Sequence, residues 1–209
     1  MPTKLGIWND ALRMIGEHRL VSLTEDTEAR YVLDSAWDDA KMFVFTEGLW
    51  NFATKTEEIN ADPGQTPIPG FDFVFDKPLY WLRTIAISQT SRFDTEAIYR
   101  DENNKIHANV DTLYIRFISY ERSTDEQIEN WPPSFAKAMS AYLANTCAVR
   151  ISGSKSDADA LRALYRDALA SAKNKDALDQ AQMFTAPGNW IRAMRGSSSR
   201  WDRGSLSGY

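Results

Sequence analysis

Residues 43–53 read Phe-Val-Phe-Thr-Glu-Gly-Leu-Trp-Asn-Phe-Ala, and the spacing of apolar residues along the chain changes within them. Before Gly48 the apolar residues recur every three or four positions, which is typical of one face of a helix. After Gly48, Trp50 and Phe52 alternate with their neighbours, which is typical of a strand. The stretch therefore predicts a long helix that leads directly into a strand and joins a helical layer to a sheet.

Two helices are predicted on the N-terminal side of this junction. The first begins after Thr3, a favourable N-cap residue, and ends at Gly16. The second is predicted over residues 28–47, because its apolar residues form a continuous stripe at helical spacing. Its start is left open among three rival caps: Ser22, Thr24 and Thr27.

Strand patterns and turn signals follow, up to about residue 129. Residues 62–70 contain three prolines, which remove backbone donors, so this segment is predicted as a loop. Residues 101–104, Asp-Glu-Asn-Asn, are typical of a hairpin turn. In chain order, strands are predicted over residues 50–57, 71–75, 81–88, 97–100, 105–110 and 112–120.

Helical spacing returns at Trp131-Pro132-Pro133-Ser134, where prolines are expected to precede the helix cap. One helix is predicted to end at Gly153, and another to begin at Ser156 and become more exposed after Lys173. The order of elements predicts an α+β fold, a bundle of about four helices with an inserted antiparallel β region and an extended C-terminal arm. The predicted ranges are 1–48 and 130–186 for the bundle, 49–129 for the β region and 187–209 for the arm.

Charge, hydropathy and cysteine content narrow the classes of function. The net charge of −5 and the isoelectric point near 5.1 argue against a protein that binds duplex DNA, which normally carries a basic surface. No apolar run approaches the length of a membrane span, so no membrane contact is expected. The N-terminus lacks the apolar region of a signal peptide, and Cys147 is the only cysteine, which together fit synthesis in a reducing cytoplasm.

Reactive constellations are not evident in the sequence. The adjacent acids Asp38-Asp39 and Glu57-Glu58 are the residue types of a glycosidase, but neighbours on a helix or strand point apart, so solvated surfaces are favoured. His18 and His107 are expected at surface or pocket positions, and Cys147 as a buried thiol. We therefore predict no catalytic residue, no metal and no cofactor.

Two alternative functions stay open at this point. A cell-wall-degrading glycosidase would use paired carboxylates on either side of a glycosidic bond. A single-stranded nucleic-acid-binding module would stack bases on aromatic strands such as residues 71–75, although the basic groove that usually accompanies such a platform is missing.

The segment 187–209 differs in composition from the rest of the chain. It is rich in glycine and serine, yet it also contains tryptophan and arginine, which are enriched at interface hot spots. A flexible arm that orders on a partner is favoured over an idle terminus, and contact with nucleic acid through the arginines stays open. The residues concerned are Trp190, Ile191, Arg192, Arg195, Trp201 and Arg203.

Several motifs, in this order, resemble the tail tubular protein A family of short-tailed bacteriophages. The resemblance covers about residues 3–195, and the segment after Arg195 has no counterpart in it. The motifs are Trp8-Asn9-Asp10-Ala11-Leu12, Leu20-Val21-Ser22-Leu23-Thr24-Glu25, Gly48-Leu49-Trp50-Asn51-Phe52-Ala53, Phe75-Asp76-Lys77-Pro78 with Trp81-Leu82-Arg83-Thr84, Trp131-Pro132 with Phe135, the helix 156–178, and Pro187-Gly188-Asn189-Trp190-Ile191-Arg192.

The resemblance implies a head-to-tail adaptor located in the virion, at the junction of head and tail, and assembled in the host cytoplasm. Such proteins form a ring, expected here to contain twelve copies, between the portal protein and the tail nozzle protein, and DNA passes through it without sequence-specific binding. The resemblance also implies that the helical side and the arm face the portal and the β side faces the nozzle. The acidic face of the second helix then supplies candidates for the channel wall: Asp34, Asp38 and Asp39.

Overall fold

The structure is a computed structural model that describes residues 1–123, 125–152 and 158–179. The predicted helix stop at Gly153, the predicted helix start at Ser156 and the whole of the predicted arm lie outside these residues. The arm residues concerned are Trp190, Ile191, Arg192, Arg195, Trp201 and Arg203.

The described residues form an α+β fold, as predicted. In the sequence order of these residues, two helices precede the strands and two follow them. The helices are α1 (Lys4–Ile15), α2 (Glu28–Thr46), α3 (Pro133–Ser152) and α4 (Ala158–Asp179). The strands are β1 (Thr54–Asn60), β2 (Phe73–Asp76), β3 (Trp81–Ser88), β4 (Tyr99–Glu102), β5 (Lys105–Ala108) and β6 (Thr112–Ser119). Short 3₁₀ turns lie at Asn51–Ala53, Tyr120–Ser123 and Asp125–Asn130.

The helix boundaries confirm most of the capping predictions. The Thr3 side chain accepts a hydrogen bond from the Gly6 amide at 3.1 Å, and Gly16 ends α1 with a φ of 89°. Among the three rival caps for α2, Thr27 is the one used, because its side chain accepts from the Arg30 amide. The prediction that both prolines precede the cap of α3 was wrong, since Pro133 is itself the first helical residue, where a missing amide donor costs nothing.

The prediction that a strand begins directly after Gly48 was wrong. Residues Asn51–Ala53 form a 3₁₀ turn, and β1 begins only at Thr54. The alternating Trp50 and Phe52 side chains that suggested a strand are instead packed into the helical core. Packing around the turn, rather than sheet pairing, therefore accounts for their apolar character.

The strands form two antiparallel sheets, where the sequence predicted one β region without dividing it. Sheet A has the order β1-β6-β3, and sheet B has the order β2-β5-β4. The predicted hairpin is present as β4 and β5, joined by Asn103 and Asn104 with φ angles of 53° and 61°. Asparagine tolerates this left-handed conformation, which a two-residue hairpin turn requires.

Sheet A lies between the helices and sheet B. On one of its faces, Ile118 of β6 is buried in the helical core, with Leu82 and Ile85 of β3 packed against that core. On its other face, residues of sheet A are buried together with residues of sheet B. This second cluster consists of Phe75, Ile87, Ile106, Ala108, Leu113, Ile115 and Phe117. Because side chains alternate along a strand, β6 can contribute to both cores.

The helical core is organised around α3, which packs against α1, α2 and α4. At the N-terminal end of α3, the Phe135 ring makes edge-to-face contacts with Phe45 of α2 and with Trp50 and Phe52 of the turn. The three pairs of ring centroids are 4.9 to 5.0 Å apart, within the range at which aromatic pairs stabilise each other beyond their buried area. The junction of α2 with the β region is thus completed by a residue from the distant C-terminal half.

Gly48 is required by the close approach of Trp50. A Cβ atom at position 48 would lie 2.7 Å from Cε2 of the Trp50 indole, closer than real Cβ contacts allow. The indole is fully buried, and its Nε1 donates to the carbonyl oxygen of Val44 at 3.1 Å, an oxygen that also accepts from the Glu47 amide at the end of α2. Burial of the ring and its hydrogen bond therefore oppose a shift of Trp50 away from a side chain at position 48.

We expect Gly48→Ala to lower the free energy of unfolding by about 1–3 kcal/mol, because the new methyl group overpacks the Trp50 site. Urea denaturation measures the change. Gly64→Ala, in an exposed loop where the nearest atom would be 3.3 Å away, is the control and is expected to change stability little. In a Trp50→Phe background, which lacks the clashing indole atoms, Gly48→Ala should lower the free energy of unfolding much less. An equal loss in both backgrounds would show that the contact between position 48 and the Trp50 indole is not the cause.

Candidate assembly surfaces

The three aspartates proposed for the channel wall are all exposed on α2, but their electrostatic environments differ. Asp34 lies 3.4 Å from Lys4 and 3.9 Å from Arg30, and Asp38 lies 2.9 Å from Lys41. Asp39 has no cation within salt-bridge distance among the described residues. Exposed pairs of this kind add little to stability, yet they reduce the negative field of the face on which they lie. Asp39 is therefore the most effective of the three in repelling phosphate.

The carboxylate pairs that suggested a glycosidase do not converge on a common point. Glu57 is partly buried and Glu58 is exposed, as expected for neighbours on opposite faces of β1. Lys41 forms a salt bridge with Asp38, whereas Asp39, the next residue, lies 100° further round the helix. Neither pair has the arrangement of two carboxylates flanking one substrate bond.

Cys147 is buried, as predicted, and burial raises the pKa of its thiol to about 11. A thiol with this pKa stays protonated near neutral pH and is a poor nucleophile. The expectation of a surface or pocket position was wrong for His107, which is only 4% exposed in β5 and lies beside the Phe71 ring. Within the described ranges, no three histidine, cysteine or acidic side chains are grouped in a way that could hold a metal ion.

The aromatic strand that suggested stacking of nucleic-acid bases faces the core. Phe75 is fully buried in the cluster between the two sheets, and Phe73 packs against the same cluster. A base can stack only on a ring whose face is open to solvent. Strand β2 therefore offers no platform for bases at these two positions.

A polar link across the junction joins the 3₁₀ turn to α4 through three hydrogen bonds. The Asn51 backbone amide donates to both carboxylate oxygens of Asp176, at 3.1 and 3.0 Å, and the Asn51 side chain donates to the Asp176 carbonyl oxygen at 2.6 Å. The two residues are 125 positions apart in the chain. This link holds the start of the β region against the C-terminal half of the helical core.

The ionisation of Asp176 is affected by its position. Burial raises the pKa of its carboxyl group, the hydrogen bond from Asn51 opposes this effect, and the negative charge of Asp179 adds to it. Nearby, Lys173 lies 3.7 Å from Glu47 at the end of α2. Burial, together with the charge of Glu47, also raises the pKa of the Tyr165 hydroxyl. The junction is thus an electrostatically coupled region as well as an apolar one.

A second asparagine plays a similar part at the other end of the helical core. The Asn9 side chain accepts from the Leu20 amide at 2.7 Å and donates to the Leu20 carbonyl oxygen at 3.0 Å. These two bonds hold the connection between α1 and α2 against α1.

The β region carries an open cleft of about 690 Å³ between the β2–β3 loop and the β4–β5 turn. Two of its lining residues, Leu79 and Tyr80, are 73% and 37% exposed. Elsewhere on the described surface, Val21 and Ile98 are 81% and 80% exposed. Leu79 and Tyr80 thus give the cleft an exposed apolar rim, whereas Val21 and Ile98 lie apart from it.

Sequence reasoning missed Asn51, Asp176 and the Leu79–Tyr80 loop as functional candidates. The Asn51–Asp176 link joins distant parts of the chain, and no local pattern announces such a pair. Tyr80 has a φ of 61°, which is unusual for a bulky residue, and its type gives no hint of that conformation. Pro78 was the only local sign that this loop leaves regular structure.

Among the described residues, no helix has both the length and the apolar character needed to cross a membrane. No protein-family model matches the chain, and no curated protein matches it either.

We expect Asp176→Ala to lower the free energy of unfolding by about 1–3 kcal/mol, because the partly buried Asn51 amide loses its acceptor. Asp176→Asn keeps an acceptor oxygen and should cost less. The exposed substitution Asp167→Asn, on the same helix, is the control. Chemical denaturation at fixed pH measures all three.

The raised pKa of Asp176 also predicts how the stability difference between the wild type and Asp176→Asn depends on pH. Because the pKa of Asp176 is raised in the folded state, its stabilising contribution is complete below its unfolded pKa of about 3.8 and is lost as pH rises through the folded pKa. Stability measured from pH 3 to pH 7 should therefore shift in favour of Asp176→Asn relative to the wild type as pH rises. A difference that stays constant over this range would contradict the raised pKa.

Proposed function

We propose that this chain is a head-to-tail adaptor of a short-tailed bacteriophage. Copies of it form a ring, expected to number twelve, between the portal protein and the tail nozzle protein, and DNA passes through the ring. The observation that carries the proposal is the ordered set of motifs over residues 3–195. The motifs include the Gly48–Ala53 stretch, whose residues hold the helical core and the β region together.

The arrangement of layers supports this role. An adaptor must present different surfaces to two partners, and the chain has helices in one outer layer and sheet B in the other, with sheet A between them. The resemblance assigns the helical side to the portal and the β side to the nozzle. The middle sheet, whose central strand β6 contributes to both cores, lets the two outer layers differ in chemistry without affecting each other's core.

The charge of the chain supports passage of DNA through the ring. Each copy has a net charge of −5, and a ring multiplies this charge around the channel. Like charges repel, so a channel lined with acids favours sliding of DNA over tight binding. Asp39 is the first candidate for the wall because its charge has no neighbouring cation among the described residues, and Asp34 and Asp38 are weaker candidates.

We expect the purified chain to be monomeric or weakly oligomeric and to form rings when mixed with portal protein. Light scattering and negative-stain microscopy detect the complex, and two-dimensional class averages give its copy number. In the control, the cognate portal protein is replaced by the portal protein of a long-tailed phage, a phage that has no short-tail nozzle. Failure to form any complex with the cognate portal would count decisively against the proposal.

The arm residues Trp190, Ile191, Arg192, Arg195, Trp201 and Arg203 are proposed to bind the portal. A chain that lacks residues 187–209 should therefore keep its melting temperature but bind the portal more weakly. Isothermal titration calorimetry measures binding, and circular dichroism measures the melting temperature. Replacing Trp190 and Arg192 with alanine should reproduce much of the loss, whereas replacing Ser197 and Ser198 should not. If the melting temperature of the truncated chain falls by a large amount, the claim that residues 187–209 contribute nothing to the core is wrong.

A further inference from the structure

The inward side of α4 runs out of apolar residues before the helix ends. Asp176 takes the next inward position after Ala172 and is partly buried, whereas the other residues from 174 to 179 are exposed, with Leu178 exposed by 83%. Residues 173–179, which we call the strap, therefore bury no apolar side chain. The inward residues that precede the strap are each at most 9% exposed: Leu161, Tyr165, Ala168, Leu169 and Ala172.

Polar contacts hold the strap in place of apolar burial. The Asp176 carboxylate accepts from the Asn51 amide, and the Asp176 carbonyl oxygen accepts from the Asn51 side chain. Lys173 also lies 3.7 Å from Glu47, but the two side chains are 41% and 34% exposed, so this ion pair adds little. Among the described residues, the Asn51–Asp176 link is thus the main attachment of the strap.

The strap lies over the aromatic contact between the 3₁₀ turn and α3. Asp176 and Asp179 line a cavity of about 10 Å³ together with Trp50 and Phe135, which are each 1% exposed. Opening of the strap lets water reach these rings, which costs free energy and favours the closed strap. Burial has the opposite effect on Asp176 itself, since it raises the pKa of that carboxyl group and so disfavours its charge. The strap therefore closes with less free energy than a wholly apolar contact would supply.

The strap is too short to be stable as a helix in water by itself, because few hydrogen bonds offset the entropy of ordering its backbone. If the Asn51–Asp176 link breaks, the strap loses its attachment and unfolds locally, while Ala172 stays anchored in the helical core. Segments with few buried apolar contacts open at a lower free energy than the whole fold. The Asn51 amide is released in the same event, because its acceptor is Asp176.

We infer that the strap opens as one unit, and that its closure onto Asn51 couples the C-terminal arm to the β region. The local opening is independent of the function proposed above, whereas the coupling rests on it. The chain continues from the strap towards the arm at 187–209, and from Asn51 towards β1 at Thr54. An arm held by the portal restricts the chain that follows Asp179, so the strap loses less conformational entropy when it closes. Portal binding thus favours the closed strap, which holds the start of β1 in a single orientation.

Substitutions at the exposed Asn174 test the local opening without altering the Asn51–Asp176 link. Glycine disfavours a helix relative to alanine, so the strap amides of Asn174→Gly should exchange with solvent deuterium about fivefold faster than those of Asn174→Ala. The Asn51 amide should change by the same factor, because it is released in the same opening. Residue-resolved NMR measurements on the full chain, corrected for intrinsic exchange rates, give both values.

Position 163 on the same helix provides the matched control. Ala163 is exposed and lies outside the strap, and Ala163→Gly again replaces alanine by glycine. A local opening leaves residue 163 helical, so this variant should exchange at the wild-type rate in the strap and at Asn51. If Ala163→Gly accelerates both about fivefold, the strap opens only with the whole fold and the inference is wrong. The inference is equally wrong if the strap amides respond to the substitutions at 174 and the Asn51 amide does not.

Hydrogen exchange of the full chain on cognate portal protein, followed by mass spectrometry, tests the coupling. Portal binding should slow exchange at the strap and at the 3₁₀ turn by about 5- to 150-fold, the usual range for coupling between two sites. If the chain binds the portal but these exchange rates stay unchanged, the adaptor function stands and the coupling is wrong. If the variants at 174 and 163 behave as expected but no portal complex forms, the local opening stands, and the adaptor function and the coupling are both wrong.

Discussion

The fold depends on the way the chain turns back on itself after α2. Trp50 lies directly against Gly48 and donates to the Val44 carbonyl oxygen, so the end of the helix is covered by the first aromatic residue that follows it. This places Trp50 and Phe52 beside Phe135, where α3 begins. The turn thus packs the end of α2 against the start of α3, which lies far along the chain, and a side chain at position 48 would push the Trp50 ring out of this contact.

The Asn51–Asp176 link adds polar specificity to this aromatic contact. Burial of apolar rings is non-directional and would tolerate small rotations of the turn, whereas two hydrogen bonds to one carboxylate and a third to its backbone carbonyl define a single orientation. The orientation of the turn determines the direction in which β1 leaves the helical core. Through the pairing of β1 with β6, it also determines the position of sheet A.

The middle position of sheet A connects this architecture to the proposed role. Strand β6 has Ile118 in the helical core and Phe117 in the core shared with sheet B, so the two cores lie on opposite faces of one strand. Sheet B can then differ in its surface chemistry without cost to the helical core. An adaptor with one surface for the portal and others for the nozzle and for its neighbours is expected to separate its surfaces in this way.

Local sequence signals were enough to predict the α+β class, the caps at Thr3 and Gly16, and the hairpin at Asn103-Asn104. Each of these depends on the conformational preferences of a few adjacent residues, which act in any context. The same signals placed a strand at Trp50, because alternating apolar residues look alike whether a sheet or a turn buries them. The division into two sheets, the burial of His107, the Asn51–Asp176 link and the conformation of Tyr80 were decided only by the tertiary structure. They depend on contacts between residues distant in the chain, and local preference carries no information about which distant partner a side chain will meet.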